Sequence, residues 1–278
     1  MARTYAYFPG CTLRSHAQDY ERQALAACQA LGIELAELPD WNCCGATFPL
    51  NAENVMELIA PARVLIDAGK HGGDLVTLCA VCFHVLRRSA HFLSAHPFAL
   101  ERLNAFVEEG PYDGTARPRH LLEVLRDDIG WAELRAHVSQ PQSGVRLAAY
   151  YGCMLLRPGP EIGLDDPESP SVLEGLFEAV GAQAAPFSHA SECCGSFLAV
   201  TQPGAVERAS LHVIEAARRS GAAAVITACP LCKYNLEQAQ GEQPEEARMP
   251  VAYFTQLLTV ALGVEAPESA AWTVRAPA

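Results

Sequence analysis

Lysine is nearly missing from this chain: Lys70 and Lys233 are the only two among 278 residues, and arginine carries almost all of the positive charge. Acidic residues outnumber basic ones 32 to 20, a formal charge of −12. The basic surface that nucleic acid or an anionic membrane would require is therefore not present. No run approaches the ~18 consecutive apolar residues of a membrane-spanning helix. The most apolar tail segment, Val251 to Val264, contains Thr255, Gln256 and Thr259 and reads as a packed helix. Met1 to Cys11 shows neither an apolar signal region nor a cleavage site, so a cytoplasmic protein is expected. Neither G-x-G-x-x-G nor G-x-x-x-x-G-K-[ST] occurs. With no nucleotide or flavin signature, electrons for any redox chemistry would have to arrive from another protein.

Cysteine is what the chain has in excess. Ten of its eleven cysteines form two copies of one spacing. The first copy is Cys11, 31 residues, Cys43-Cys44, 34 residues, then Cys79-Ala-Val-Cys82. The second is Cys153, 39 residues, Cys193-Cys194, 34 residues, then Cys229-Pro-Leu-Cys232. A glycine, Gly45 or Gly195, follows each adjacent pair. In a reducing compartment such spacings point to metal binding or catalysis rather than to disulfides. Adjacent cysteines are awkward as two ligands of one small tetrahedral ion but suit a larger cluster, with the glycine letting backbone approach closely. A cubane cluster needs four thiolates, so five per half imply either an unusual cluster or a spectator. Zinc held by four thiolates is the alternative, above all in the N-terminal half, where Cys79-Ala-Val-Cys82 lacks the proline of its counterpart. Cys28, on an apolar helical face, reads as core filler.

The pattern of strands and helices repeats with the cysteines. Arg3 to Phe8 reads as a strand into Cys11, Gln18 to Leu31 as a helix, and Ile33 to Leu38 as a strand. Asn54 to Ala68 is a helix, Leu75 to Leu78 a strand into Cys79, and Cys82 to Phe92 begins another helix. In the second half Arg146 to Tyr151 leads into Cys153 and Ala224 to Thr227 into Cys229. Between them lie a helix over Ser171 to Val180, a strand over Gln183 to Phe187 and a helix over Ala205 to Ser220. The insert Leu156 to Pro170 accounts for the longer first gap. Gly110 to Pro118 reads as a loop, and His120 to Val138 as an amphipathic stretch. The expected fold is α/β in two pseudo-symmetric halves, each a mainly parallel sheet with flanking helices and cysteine loops at the strand C-terminal edge.

Tyr7-Phe8-Pro9-Gly10-Cys11, Cys43-Cys44-Gly45 and Cys79 to Cys82, with Tyr150-Tyr151-Gly152-Cys153, Leu156-Arg157-Pro158, Cys193-Cys194-Gly195 and Cys229 to Cys232, carry a resemblance over nearly the whole chain. They resemble the duplicated cysteine-rich CCG domain in the catalytic B subunit of heterodisulfide reductases. Relatives in lactate-utilisation and some dehydrogenase complexes share that domain, often with one set of cysteines eroded; here both are complete. The resemblance implies CCG domains at 1–93 and 144–278 joined by a bridging helical segment at 94–143. It further implies a non-cubane [4Fe-4S] cluster on each five-cysteine set, with a disulfide cleaved between the two. The implied partners are an iron–sulfur C-type subunit and a flavin-bearing A-type subunit. The implied substrate is a small disulfide or protein-bound sulfur, the coenzyme M–coenzyme B heterodisulfide in archaea.

Among other side chains, His84 is a candidate proton donor to a leaving thiolate, against the reading of a capped or solvated helix histidine. His189 and His16 are weaker candidates of the same kind. Arg14 and Arg157, three or four residues after a first cysteine, are candidates to bind an anionic group on the substrate, though a surface salt bridge explains either. Arg87-Arg88 reads as a solvated helix face. Three functions therefore compete: a catalytic disulfide oxidoreductase subunit, a non-catalytic electron-transfer or assembly module linking a dehydrogenase to a quinone, and a zinc-stapled structural subunit.

Overall fold

The computed structural model describes residues 3–46, 55–241, 243–244 and 247–272. In chain order the first half runs β1 (Arg3–Tyr7), α1 (Gly10–Ser15), α2 (Gln18–Ala30), β2 (Ile33–Glu37), a 3-10 turn (Val55–Leu58), α3 (Ile59–Lys70), β3 (Asp74–Thr77), α4 (Ala80–Ala95) and α5 (Pro97–Asn104). Then come β4 (Arg117–His120), α6 (Leu121–Glu123), a π-helical stretch (Val124–Ile129) and α7 (Trp131–His137). The second half runs β5 (Arg146–Tyr150), α8 (Gly159–Ile162), α9 (Val172–Ala179), β6 (Gln183–Ala184), a 3-10 turn (Ser196–Leu198), α10 (Pro203–Arg219), β7 (Ala224–Thr227), α11 (Pro230–Gln238), β8 (Val251–Tyr253) and α12 (Phe254–Ala261).

Two parallel sheets result, with the same strand order: β2-β1-β3-β4 and β6-β5-β7-β8. The α/β fold with duplicated halves is thus as the element pattern implies. All four residues of β7 are buried, as are Leu75 to Thr77 of β3, which is why these strands are continuous apolar runs rather than alternating ones. The chain packs as two compact units, Met1–Val124 with Arg157–Leu164, and Leu125–Leu156 with Asp165–Ala278. Tyr7, Phe8, Leu65, Phe83 and Leu86 fill the core of the first; Tyr150, Tyr151, Phe177, Phe254 and Leu257 fill that of the second.

Several elements differ from the sequence pattern. Arg117 to His120 is an edge strand, although Gly110 to Pro118 reads as loop. Its register puts Pro118 opposite Leu75, and an edge position tolerates a proline that has no N–H to give. Val251 to Tyr253 is strand, and the helix starts only at Phe254, because those three residues complete the second sheet against β7. The strand expected from Gln183 to Phe187 pairs only over Gln183–Ala184. The helix expected from Asn54 begins as a 3-10 turn at Val55 and becomes α-helical at Ile59; Asn54 itself lies outside the described residues. Among the described residues no helix is long and apolar enough to cross a membrane.

Candidate metal centre

Each group of cysteines leaves the carboxyl end of a parallel strand, where open α/β sheets gather their ligands. Cys11 lies in the first turn of α1 just after β1, Cys43-Cys44 follow β2, and Cys79 is the N-cap of α4 after β3. In the second unit Cys153 follows β5, Cys193-Cys194 follow β6, and Cys229 is the N-cap of α11 after β7. All eleven cysteines are free thiols.

The sulfurs meet in matching pairs. Cys44 Sγ lies 3.5 Å from Cys82 Sγ, and Cys194 Sγ lies 3.6 Å from Cys232 Sγ. Cys82 also touches Cys79, and Cys43 touches Cys11. In the second unit Cys153 Sγ sits 3.5 Å from Cys193 Sγ, and Cys232 touches Cys229. Each set of five is thus gathered at one sheet edge. Cys11 and Cys43 are exposed and Cys153 and Cys193 half-buried, while the remaining six are buried.

Two glycines make the gathering sterically feasible. A Cβ on Gly10 would stand 2.9 Å from Cys82 Sγ, and one on Gly152 would stand 3.1 Å from Cys232 Sγ. Both have positive φ, +73° and +65°, so glycine is required by space and by conformation. The glycines after the cysteine pairs act differently from the close approach expected of them. A Cβ on Gly45 or Gly195 would meet no sulfur within 4 Å among its nearest atoms; the positive φ of Gly195 instead accompanies an N–H turned onto Cys193 Sγ at 3.2 Å.

The thiols do not share one proton affinity. Hydrogen bonding from Cys82 pulls Cys44 down to about 7, aided by the Ala46 N–H, against its burial. Cys153 does the same for Cys193, to about 6, and Cys232 for Cys194, to about 7. Their donors, Cys82, Cys153 and Cys232, are pushed up in turn. At Cys43 the Gly45 N–H favours the thiolate, but burial and the neighbouring sulfurs outweigh it and raise the thiol. Five sulfurs this close cannot all ionise alone, because each thiolate raises the cost of the next. A cationic centre relieves that repulsion, and metal binding releases the retained protons. Among the described residues no three His, Cys, Asp or Glu side chains are spaced to hold a single metal ion. The donor set, thiols with backbone N–H groups aimed at them, fits a polynuclear centre.

The cysteine-rich domain family designated CCG matches residues 5–87 and again 147–237. The chain belongs to this CCG family. A Wolinella succinogenes protein described as the membrane anchor of an 8-methylmenaquinol:fumarate reductase is 33% identical over 96% of this chain and 95% of its own length. The B subunit of a ferredoxin/F(420)H(2)-dependent CoB-CoM heterodisulfide reductase from Methanosarcina acetivorans is 27% identical over 94% of this chain and 90% of its own. An Archaeoglobus profundus protein, described as like the B subunit of heterodisulfide reductase, is 29% identical over 96% and 93%. Among solved structures, a hypothetical protein from Helicobacter pylori shares the fold, with a TM-score of 0.73 and 14% identity; 96% of this chain matches half of that one.

Around the CCG cysteines, side chains outside the motif hold the loops. The Leu78 carbonyl, one residue before Cys79, accepts from Tyr20 Oη at 2.8 Å and His120 Nε2 at 2.8 Å. His120 Nδ1 meanwhile accepts from the Leu122 N–H at 3.2 Å, and Glu123 returns a bond to the His120 N–H at 2.9 Å. This fully buried imidazole is therefore neutral with its proton on Nε2, and burial pushes its pKa down to about 4. Its signal in the sequence is the capping pair His120…Glu123. In the second unit the Cys229 N–H reaches Thr227 Oγ1 at 3.4 Å, and Tyr150 donates to the Glu192 carbonyl, just before Cys193, at 2.9 Å.

His84 is buried on α4, its Nε2 3.4 Å from the Arg88 guanidinium. Arg14 pairs with Glu37 and, at 3.3 Å, with Glu21, which also accepts from Tyr7 Oη at 3.0 Å. Arg157 is half-buried in the turn after Cys153. His16 and His189 each contact a neighbouring serine, Ser15 at 3.0 Å and Ser188 at 2.9 Å. Arg87 and Arg88 are not a solvated face. Arg87 donates to the Pro118 and Ile162 carbonyls at 2.8 and 3.1 Å, and Arg88 pairs with Glu161 at 2.6 Å, so α4 is tied to β4 and α8. Cys28 is buried, and desolvation pushes its thiol up to about 12.

Proposed function

We propose that this chain is the iron–sulfur component of a heterodisulfide reductase-type complex, and that it reduces or forms a disulfide. Cys11, Cys43, Cys44, Cys79 and Cys82 hold one non-cubane [4Fe-4S] cluster, and Cys153, Cys193, Cys194, Cys229 and Cys232 hold the other. The observation that carries this reading is that both units keep all five thiols gathered, with the same sulfur–sulfur pairs. A relay or a structural staple would need only one complete set. When bound, each cluster supplies one electron. Reduction of R–S–S–R′ takes up two electrons and two protons and releases RSH and R′SH; the reverse reaction forms the disulfide.

The protein's own part is to hold the buried thiolates and leave an approach for substrate. Cys44, Cys79 and Cys82, like Cys194, Cys229 and Cys232, are buried, so the open side of each site carries Cys11 with Cys43, or Cys153 with Cys193. A sulfur substrate would approach there. Arg14 and Arg157, near these first cysteines, would meet an anionic substituent on it, and His84 would be the proton source nearest Cys82. Electrons would come from an iron–sulfur C-type subunit, with a flavin-bearing A-type subunit behind it. The Methanosarcina relative, named as one component of a ferredoxin-dependent reductase, supports that arrangement.

The second reading is an electron carrier linking a quinone to another redox protein, with zinc an alternative in the N-terminal half. The Wolinella relative, whose name joins menaquinol to fumarate, favours it. Anaerobic purification should give about eight iron per chain and no zinc under the first reading. With an artificial donor, both Cys44→Ala and Cys194→Ala should abolish disulfide turnover. Near-normal turnover in either variant after verified loss of its cluster would leave the relay as the better reading.

A further inference from the structure

The two thiol sites share their backbone framework but not their side-chain donors. In both units the N–H after the cysteine pair reaches the pair's first sulfur: Gly45 to Cys43 and Gly195 to Cys193. In both, the next N–H reaches the second sulfur: Ala46 to Cys44 and Ser196 to Cys194. The second sulfur of each pair also meets the last cysteine at nearly equal distance, 3.5 and 3.6 Å.

The difference begins one helical turn past that last cysteine. Asn235 lies three residues after Cys232 on α11, and its Nδ2 donates to Cys194 Sγ at 3.4 Å. It is 6% exposed, so water does not compete for the amide. Three residues after Cys82 on α4 stands Val85, 1% exposed and without a hydrogen to donate. A second pair of equivalent positions repeats the contrast. Phe8 and Tyr150 each lie three residues before the first cysteine, and each is among the atoms nearest to where a Cβ on Gly10 or Gly152 would stand. Phe8 packs edge-on against Trp41 with ring centroids 5.6 Å apart, whereas Tyr150 brings a hydroxyl, bonded to the Glu192 carbonyl, among the second set of sulfurs.

We infer that the two sites are electronically inequivalent, with Asn235 holding the centre of the second unit at the higher reduction potential. The inference rests on the reading that both sites carry iron–sulfur clusters. A hydrogen bond to a ligand sulfur withdraws negative charge, and the reduced state, one electron more negative, gains most from it. Val85 and Phe8 leave the first site without this help. The second site therefore takes up the first electron from the donor, and the first site is the stronger reductant once it is charged. The sites are duplicated in ligands and differentiated by one amide.

An EPR-monitored redox titration of the anaerobically loaded full chain tests this. The wild type should show two midpoint potentials, the lower one missing in Cys44→Ala. Asn235→Val should lower the upper potential by the equivalent of about a tenfold change in the reduced-to-oxidised ratio, ~59 mV for one electron, and leave the lower one alone. Val85→Asn should raise the lower potential toward the upper. An unmoved upper potential in Asn235→Val with iron content intact overturns the inference. If Asn235→Val loses its iron, Val85→Asn decides, and an unmoved lower potential there overturns it as well. Full iron with a single shared potential in the wild type defeats this inference alone, whereas a chain that binds no iron defeats the proposed function with it.

Discussion

Replacing Gly10 by alanine should empty one site and spare the other. The new methyl carbon would stand 2.9 Å from Cys82 Sγ, while ordinary non-bonded contacts lie at about 3.5–4.0 Å. The sulfur or the Gly10 backbone must therefore move by roughly 0.6–1.1 Å. Metal–ligand distances tolerate only about ±0.2 Å, so the required displacement is at least three times what a ligand position allows. Cys82 sits at the start of α4 and is 4% exposed, with little room to retreat. The conformational part of the effect can be separated with Gly32→Ala. Gly32 has φ +68°, close to the +73° of Gly10, but a Cβ there meets nothing within 4 Å. Both variants bear the left-handed backbone cost of about 1–2 kcal/mol; only Gly10→Ala displaces a sulfur. Iron should fall to about half in Gly10→Ala and stay complete in Gly32→Ala, with the second-site EPR signal unchanged in both. Full iron and an unaltered first-site spectrum in Gly10→Ala would refute the assignment of Cys82 as a ligand held against the Gly10 backbone.

Cys194→Ala should lower iron and perturb only one of two spectra, whereas Cys28→Ala should leave iron untouched; spectra unchanged by the first, or iron lost in the second, would contradict the ligand assignment. The neutral, buried His120 makes stability acid-sensitive. Its folded pKa of about 4 lies below the ordinary 6.5, so the unfolded chain binds the proton first as pH falls. Its contribution is intact above pH ~6.5 and is lost between there and pH ~4, a total of about 3 kcal/mol. Urea unfolding followed from pH 7 to pH 4 should show a shallower slope in His120→Gln than in the wild type, and parallel slopes would count against a buried neutral imidazole.

Which residues carry the chemistry, and roughly where the core strands lie, can be read along the chain alone. Duplicated cysteine spacing and the apolar runs before Cys11, Cys79, Cys153 and Cys229 are local features, and a strand buried on both faces announces itself by composition. Strands β4 and β8 cannot be read that way. Arg-Pro-Arg-His has no strand pattern and becomes one only because β3 offers it an open edge; Val251 to Tyr253 likewise pairs because β7 does. Nor does spacing reveal which sulfurs meet, since Cys44 and Cys82 are brought together by the sheet across 38 positions. The arginines of α4 look solvated in a helical projection, yet their carbonyl and carboxylate partners lie 31 to 75 positions away. The glycines that touch sulfur are Gly10 and Gly152, a fact of the crossing between two loops rather than of either loop. Asn235 differs from Val85 in the sequence as plainly as any residue does, but only the fold turns that difference toward Cys194. Composition and periodicity encode what each segment buries; contacts between distant segments exist only once the sheets have assembled.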